Sequence, residues 1–152
     1  MREILFRGKR VDNGEWVEGS LVNNIFFRAE SNRPIPYIID PYEYVEYDCM
    51  EDIGDLAVEV APETVGQFTG RTDKNSKRVF EGDILCADTG RRWSNGICTD
   101  YTQYVVVVYN SQKARFEILG KLGESHKALD QVIDKRRATV VGNIHDNPEL
   151  LS

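Results

Sequence analysis

The chain has 152 residues, with 25 acidic side chains against 19 basic ones and a formal net charge of −6. Charged residues make up 29% and proline fills 5 positions, a balance that excludes disordered and collagen-like chains. A chain of this length hides roughly two-thirds of its unfolded surface, enough for one core without disulfides or metal, so a single domain over 1–152 is expected.

The opening residues, Met1 to Arg10, mix charges with apolar side chains and carry no apolar run of the kind a secretory signal needs. Glu3 to Arg7 and Trp16 to Val22 read as two strands joined at Asp12-Asn13-Gly14, a hairpin with an Asn-Gly turn. Its period places Trp16 on one face and Val17 on the other. Tyr37-Ile38-Ile39 makes a short strand after two prolines. Asp40 to Asp55 has no clear period and reads as an excursion from the core. Leu56 to Val60 and Thr64 to Thr69 resume strands, and Gly70 to Ser76 forms a polar turn. Lys77 to Phe80 and Ile84 to Ala87 are strands meeting at Glu81-Gly82-Asp83, a corner that needs glycine's freedom.

Asp88 to Thr102 is polar and contains glycine, so it is expected to be a loop. Tyr104 to Tyr109 and Arg115 to Leu119 form paired strands around Asn110-Ser111-Gln112. The run Val105 to Val108 predicts a strand covered on both faces, and it falls far short of the ~20 residues a membrane helix needs. Ser125 to Arg137 carries Ala128, Leu129, Val132 and Ile133 at helical spacing, with Ser125 as the expected N-cap. Thr139 to Ile144 returns as a strand, and Asn147-Pro148-Glu149 starts a short terminal helix.

Charge is uneven along the chain. Between Pro34 and Gly70 there is no Lys or Arg, and nine acids (Asp40, Glu43, Glu46, Asp48, Glu51, Asp52, Asp55, Glu59, Glu63) give −9. The remainder holds sixteen acids and nineteen bases, or +3. Many short strands, few helical residues and glycine corners indicate a mainly-β (or α+β) fold. The expectation is an SH3-like small barrel or roll with one or two short helices and an acidic insertion at about 40–55.

Three stretches, FRGKR…GEWVEGSL (Phe6 to Leu21), PETVGQFTGRTDKNSKRVFEGDIL (Pro62 to Leu85) and VVGNIHDNPELL (Val140 to Leu151), resemble the YopX family of phage and prophage proteins. The central one is the most specific. The resemblance implies a bacterial cytoplasmic setting and a homo-oligomer, and it brings no reaction with it. The motif residues read as scaffold: Gly66, Gly70 and Gly82 suit corners, Asp83 can accept from nearby amides, and Asn147-Pro148 caps a helix.

No catalytic set emerges. His126 and His145 are the only histidines, and no G-x-S-x-G elbow is present. Cys49, Cys86 and Cys98 have no C-x-x-C pair and lie far from either histidine in sequence. That predicts free thiols and no zinc site. Asp48, Asp52 and Asp55 do not fit a calcium loop, and Gly66 to Gly70 lacks the G-K-[ST] ending of a phosphate loop. No cofactor is therefore expected.

Two surfaces remain. Tyr42, Tyr44 and Tyr47 with Glu43 and Glu46 make a candidate protein interface, because tyrosine offers large amphipathic area and the segment can meet a basic patch on a neighbouring subunit. Arg71, Lys74, Lys77, Arg78, Arg91 and Arg92 are candidate nucleic-acid contacts. Asp73, Glu81, Asp83 and Asp88 interleave with them and leave that span at only +2. Protein partners, whether a second copy or a host or phage protein, are therefore favoured over nucleic acid, and no membrane partner is expected.

Overall fold

A computed structural model describes residues 3–23, 34–40, 56–94, 97–120 and 127–152. The chain divides into two compact units, Met1–Phe68 and Thr69–Ser152. Among the described residues it is mainly β, as its patterning predicts, and its sheets are open rather than closed into a barrel.

The first unit holds strands β1 (Phe6–Lys9), β2 (Trp16–Asn23), β3 (Pro36–Ile39) and β4 (Ala57–Glu59) in the antiparallel order β4-β3-β2-β1. The start of β5 (Gly66–Thr72) pairs on the far side of β1, Arg7 opposite Gly66. The β1–β2 hairpin sets Lys9 opposite Trp16 and turns through Gly14 at φ 73°, a conformation that favours glycine. The sheet curls strongly. Arg10 bridges Val60 beyond the end of β4, and Val11 N–H donates to the Glu59 carbonyl at 3.0 Å. Two glycines permit the curl: a Cβ on Gly19 would collide with the backbone carbonyl of Ile39, and one on Gly8 would lie 2.8 Å from Val60 Cβ. Leu5, Tyr37, Ile38, Val60 and Phe68 are buried here. Gly66 sits inside a strand rather than at a corner, which corrects its expected role.

In the second unit β5 continues to Thr72, three residues into the expected polar turn, and pairs with β6 (Arg78–Phe80). Gly70 and Gly82 do adopt positive φ, 79° and 81°. A five-stranded antiparallel sheet follows in the order β10-β9-β8-β7-β11. Its strands are β7 (Asp83–Ser94), β8 (Ile97–Asn110), β9 (Arg115–Gly120), β10 (Lys127–Ala128) and β11 (Thr139–Asn143). One helix, α1 (Leu129–Arg136), supplies Leu129, Val132 and Ile133 to a core with Val79, Leu85, Ala87, Val105, Val107, Ile118 and Ala138. Burying each Val, Leu or Ile side chain there is worth about 1.5–3 kcal/mol. A 3-10 helix, Pro148–Leu151, follows Asn147 as expected, although Asn147 makes no side-chain cap bond.

Three sequence expectations are corrected. Asp88 to Thr102 is not a loop, because β7 and β8 run through it with Arg91 opposite Asp100 and Ser94 opposite Ile97. The helix begins at Leu129, not Ser125: Lys127 and Ala128 pair with Ile118 and Glu117 as strand, and the N-cap is Ala128. Ser125 lies outside the described residues. The four valines are covered unequally. Val105 and Val107 are buried in the core beneath α1, while Val106 and Val108 are only half-buried.

Candidate interaction surface

The turn between β5 and β6 is organised by one buried acid. Asp73 Oδ1 accepts from the amides of Asn75 (2.8 Å) and Lys77 (2.9 Å), and its Oδ2 accepts from the amide of Val140 in β11 (3.0 Å). Burial pushes its carboxyl up, but these three amides and the Lys77 charge outweigh that and lower it below the usual range. The turn thereby presents Lys74 and Lys77 to solvent. Arg71 is engaged nearby, its Nη2 lying 2.5 Å from both carboxylate oxygens of Asp134 on α1. Arg78 is half-buried on β6. Of the six basic residues singled out in sequence, two thus face water in one turn, one is ion-paired, and Arg91 and Arg92 lie on the strand β7.

A second polar cluster holds the β8–β9 hairpin. Glu117 is fully buried, with Asn110 Nδ2 at 2.9 Å, Lys113 Nζ at 3.0 Å and Arg115 Nη2 at 2.6 Å. Burial alone would raise its carboxyl. The hydrogen bonds from Asn110, Arg115 and Lys113, with the Lys113 charge, hold it at about 2. In the first unit, Arg7 and Lys9 approach the Trp16 ring at 4.9 and 5.6 Å from its centroid, one cationic–aromatic face of the β1–β2 hairpin. An open depression of about 310 Å³ runs along β4, lined by Arg10, Val11, Asp12, Ala57, Val58 and Glu59. Its arginine is held by a two-point pair to Asp12, at 2.9 and 2.7 Å.

A further feature is the far part of the β7–β8 hairpin. Among the described residues, β11 pairs with β7 from Asp83 to Cys86, and β9 pairs with β8 from Val105 to Asn110. Beyond those points, among the described residues, the two strands pair only with each other, through Asp88–Thr102, Gly90–Tyr101, Arg91–Asp100, Arg92–Thr99, Trp93–Cys98 and Ser94–Ile97. The result is a two-stranded ribbon about 20 Å long at ~3.3 Å per residue. Sequence reasoning missed it, yet a signal is there: the two residues between the paired Ser94 and Ile97 are Asn95-Gly96, the dipeptide of tight hairpins.

The other sequence candidates fall as follows. Tyr42, Glu43, Tyr44, Glu46 and Tyr47, with Cys49 and His126, lie outside the described residues. Cys86 is half-buried on β7 with a free thiol. The amide of His145 donates to Asn143 Oδ1 at 2.9 Å, in a turn where Asn143 Nδ2 also donates to Asp146. No group of His, Cys, Asp and Glu able to hold a metal occurs among the described residues, and none of their helices is long and apolar enough to cross a membrane.

The stretches singled out in sequence map onto β1 and β2, onto β5 through the start of β7, and onto β11 with the terminal 3-10 helix. The family model described as YopX protein matches residues 5–152. The chain belongs to the YopX family. Among solved structures it is similar to a crystal structure of protein EF1440 from Enterococcus faecalis. That likeness covers 100% of both chains with 22% identity and a TM-score of 0.57, and it shows a shared fold. None of the curated proteins matches the chain. Within the family motifs, the structure gives Asp83 its expected role, since Oδ2 accepts from the Phe80 amide at 2.8 Å and closes the corner at Gly82.

Proposed function

We propose that this YopX-family chain is a non-catalytic homo-oligomer that works through protein–protein contacts in the cytoplasm of a phage-carrying bacterium. The observation that carries the reading is the β7–β8 ribbon. A two-stranded hairpin is marginal in water by itself, and among the described residues no strand pairs with either long edge of this one. A protein partner that pairs with or covers those strands removes both costs. The uneven charge, −9 between Pro34 and Gly70 against +3 elsewhere, adds electrostatic complementarity between copies. The cellular setting rests on the family resemblance and on cysteines without a pairing pattern.

Affinity purification from the phage-carrying host, with and without nuclease, followed by mass spectrometry and light scattering, tests this. A self-associated species, or one protein partner that survives nuclease, is the expected result. Loss of every partner on nuclease treatment would favour a second reading, nucleic-acid binding. Lys74 and Lys77, exposed together on the Asp73 turn, are the observation on that side. Fluorescence anisotropy with labelled oligonucleotides at low and high salt checks it: salt-sensitive binding at micromolar protein is required.

A further inference from the structure

We propose that the β8 edge of the ribbon, residues Cys98 to Tyr104, pairs antiparallel with the same edge of a second copy about a two-fold axis at Tyr101. This deepens the homo-oligomer reading and rests on it. The two edges of the ribbon differ. The β7 edge carries a bulge, since the register shifts between Asp88 and Gly90, and adjacent charges at Arg91 and Arg92. Bulges and charges are devices that discourage edge pairing. The β8 edge from Ile97 to Tyr104 has no register shift, no proline and no lysine. Its single charge is Asp100, set among the strand formers Ile97, Thr99, Tyr101, Thr102 and Tyr104. Thr102, Gln103 and Tyr104 are exposed.

The direction of the backbone groups follows from one hydrogen bond. Gly82, which immediately precedes β7, donates its amide to the Val107 carbonyl at 2.9 Å, so Val107 presents its backbone to the β7 side. Direction alternates along a strand, so Thr99, Tyr101 and Gln103 face β7, and Cys98, Asp100, Thr102 and Tyr104 face outward. An antiparallel edge can pair with its own copy only when outward residues oppose outward residues. That restricts the two-fold axis to a residue of β8 rather than a peptide between two. An axis at Asp100 would set two like charges opposite each other, which is unfavourable. An axis at Thr99 shortens the overlap. With the axis at Tyr101, Asp100 opposes Thr102 of the partner subunit and Cys98 opposes Tyr104 of the partner subunit. About eight backbone hydrogen bonds result, and the overlap ends at Tyr104, where β9 takes over the edge with Gly120 opposite Val105. The interface is isologous and closed, so it gives a dimer and not a filament.

The test is light scattering on the full chain with the substitution T102P, which removes one outward amide and none that faces β7. Twice the monomer mass is expected for the wild type and for T102V, and monomer mass for T102P, with at least a tenfold weaker association. Circular dichroism checks that T102P is folded. A T102P protein that stays dimeric overturns the edge while leaving the homo-oligomer reading intact. A wild type that is monomeric at 100 µM overturns both. Hydrogen exchange on the wild type supplies a second readout that needs no variant. The amides of Asp100, Thr102 and Tyr104 should be protected at high concentration and lose protection on dilution, whereas those of Thr99, Tyr101 and Gln103 stay protected. Free exchange of the Thr102 amide in the dimer, or protection that appears only when a host protein is added, overturns the proposal.

Discussion

Asp73 and Glu117 show how single side chains set local geometry in this chain. Both are buried carboxylates that would be costly without partners, and both are satisfied from several sides. Each is held below its ordinary range when folded, so the folded state binds fewer protons than the unfolded one. Their stabilisation is therefore complete above the unfolded value and is lost as pH falls through the folded one. For Glu117 that window runs from its ordinary 4.5 down to about 2. Urea denaturation across pH 7 to 2 should show E117Q less stable at neutral pH and with a flatter loss of stability over that window. An unchanged acid slope would remove Glu117 from this role. D73A strands the amides of Asn75, Lys77 and Val140, and a loss of about 1–3 kcal/mol is expected by the same method. Glycine positions separate by cause. G19A meets the Ile39 carbonyl and should prevent a stable fold of the first unit, whereas G14A meets nothing within 4 Å and costs only its backbone conformation, about 1–2 kcal/mol. Thermal unfolding of the two variants checks the order.

The elements in the core show where packing, not propensity, sets the outcome. L85A, beneath α1, should cost about 2–5 kcal/mol by chemical denaturation, since it opens a cavity in a fully buried site. Hydrophobic alternation made most of these strands legible: β2, β3, β6, β9 and β11 lie close to where the sequence puts them. The ribbon was not legible by that signal. Asp88 to Thr102 carries too few apolar residues in sequence to show a sustained alternation, so hydrophobic period says little there, and the Asn95-Gly96 dipeptide is the signal that marks it. The helix start failed for a different reason. Ser125 and Ala128 fit a helical pattern locally, but Lys127 and Ala128 are claimed by the edge of β9, and tertiary pairing overrides weak propensity. The candidate surface was legible in part. Basic residues on the Asp73 turn stand out in sequence, whereas the withdrawal of Arg71 depends on Asp134, 63 positions away.

For the whole molecule, charge and assembly belong together. The segment between Pro34 and Gly70 carries −9 and the rest +3, so copies can attract through unlike regions even though each is acidic overall. Deleting Asp40 to Asp55 should weaken self-association in light scattering at low ionic strength, and the difference should shrink at high salt as screening removes it. An unchanged oligomer mass would take the acidic segment out of assembly. Backbone pairing at the β8 edge responds far less to salt, so the two contributions separate in one titration.

The sequence by itself determined that this is a mainly-β chain, that Gly14, Gly70 and Gly82 turn it, that Asp83 closes a corner, and that it is of the YopX type. These features depend on neighbours along the chain, where period, turn chemistry and motif are written directly. Only the tertiary structure decided that, among the described residues, β11 and β9 stop short of the hairpin's far part and leave it a two-stranded ribbon. It also decided which edge of that ribbon is bulged and which backbone groups face outward. Those depend on how far separate strands overlap, and overlap is set by packing between residues remote in sequence.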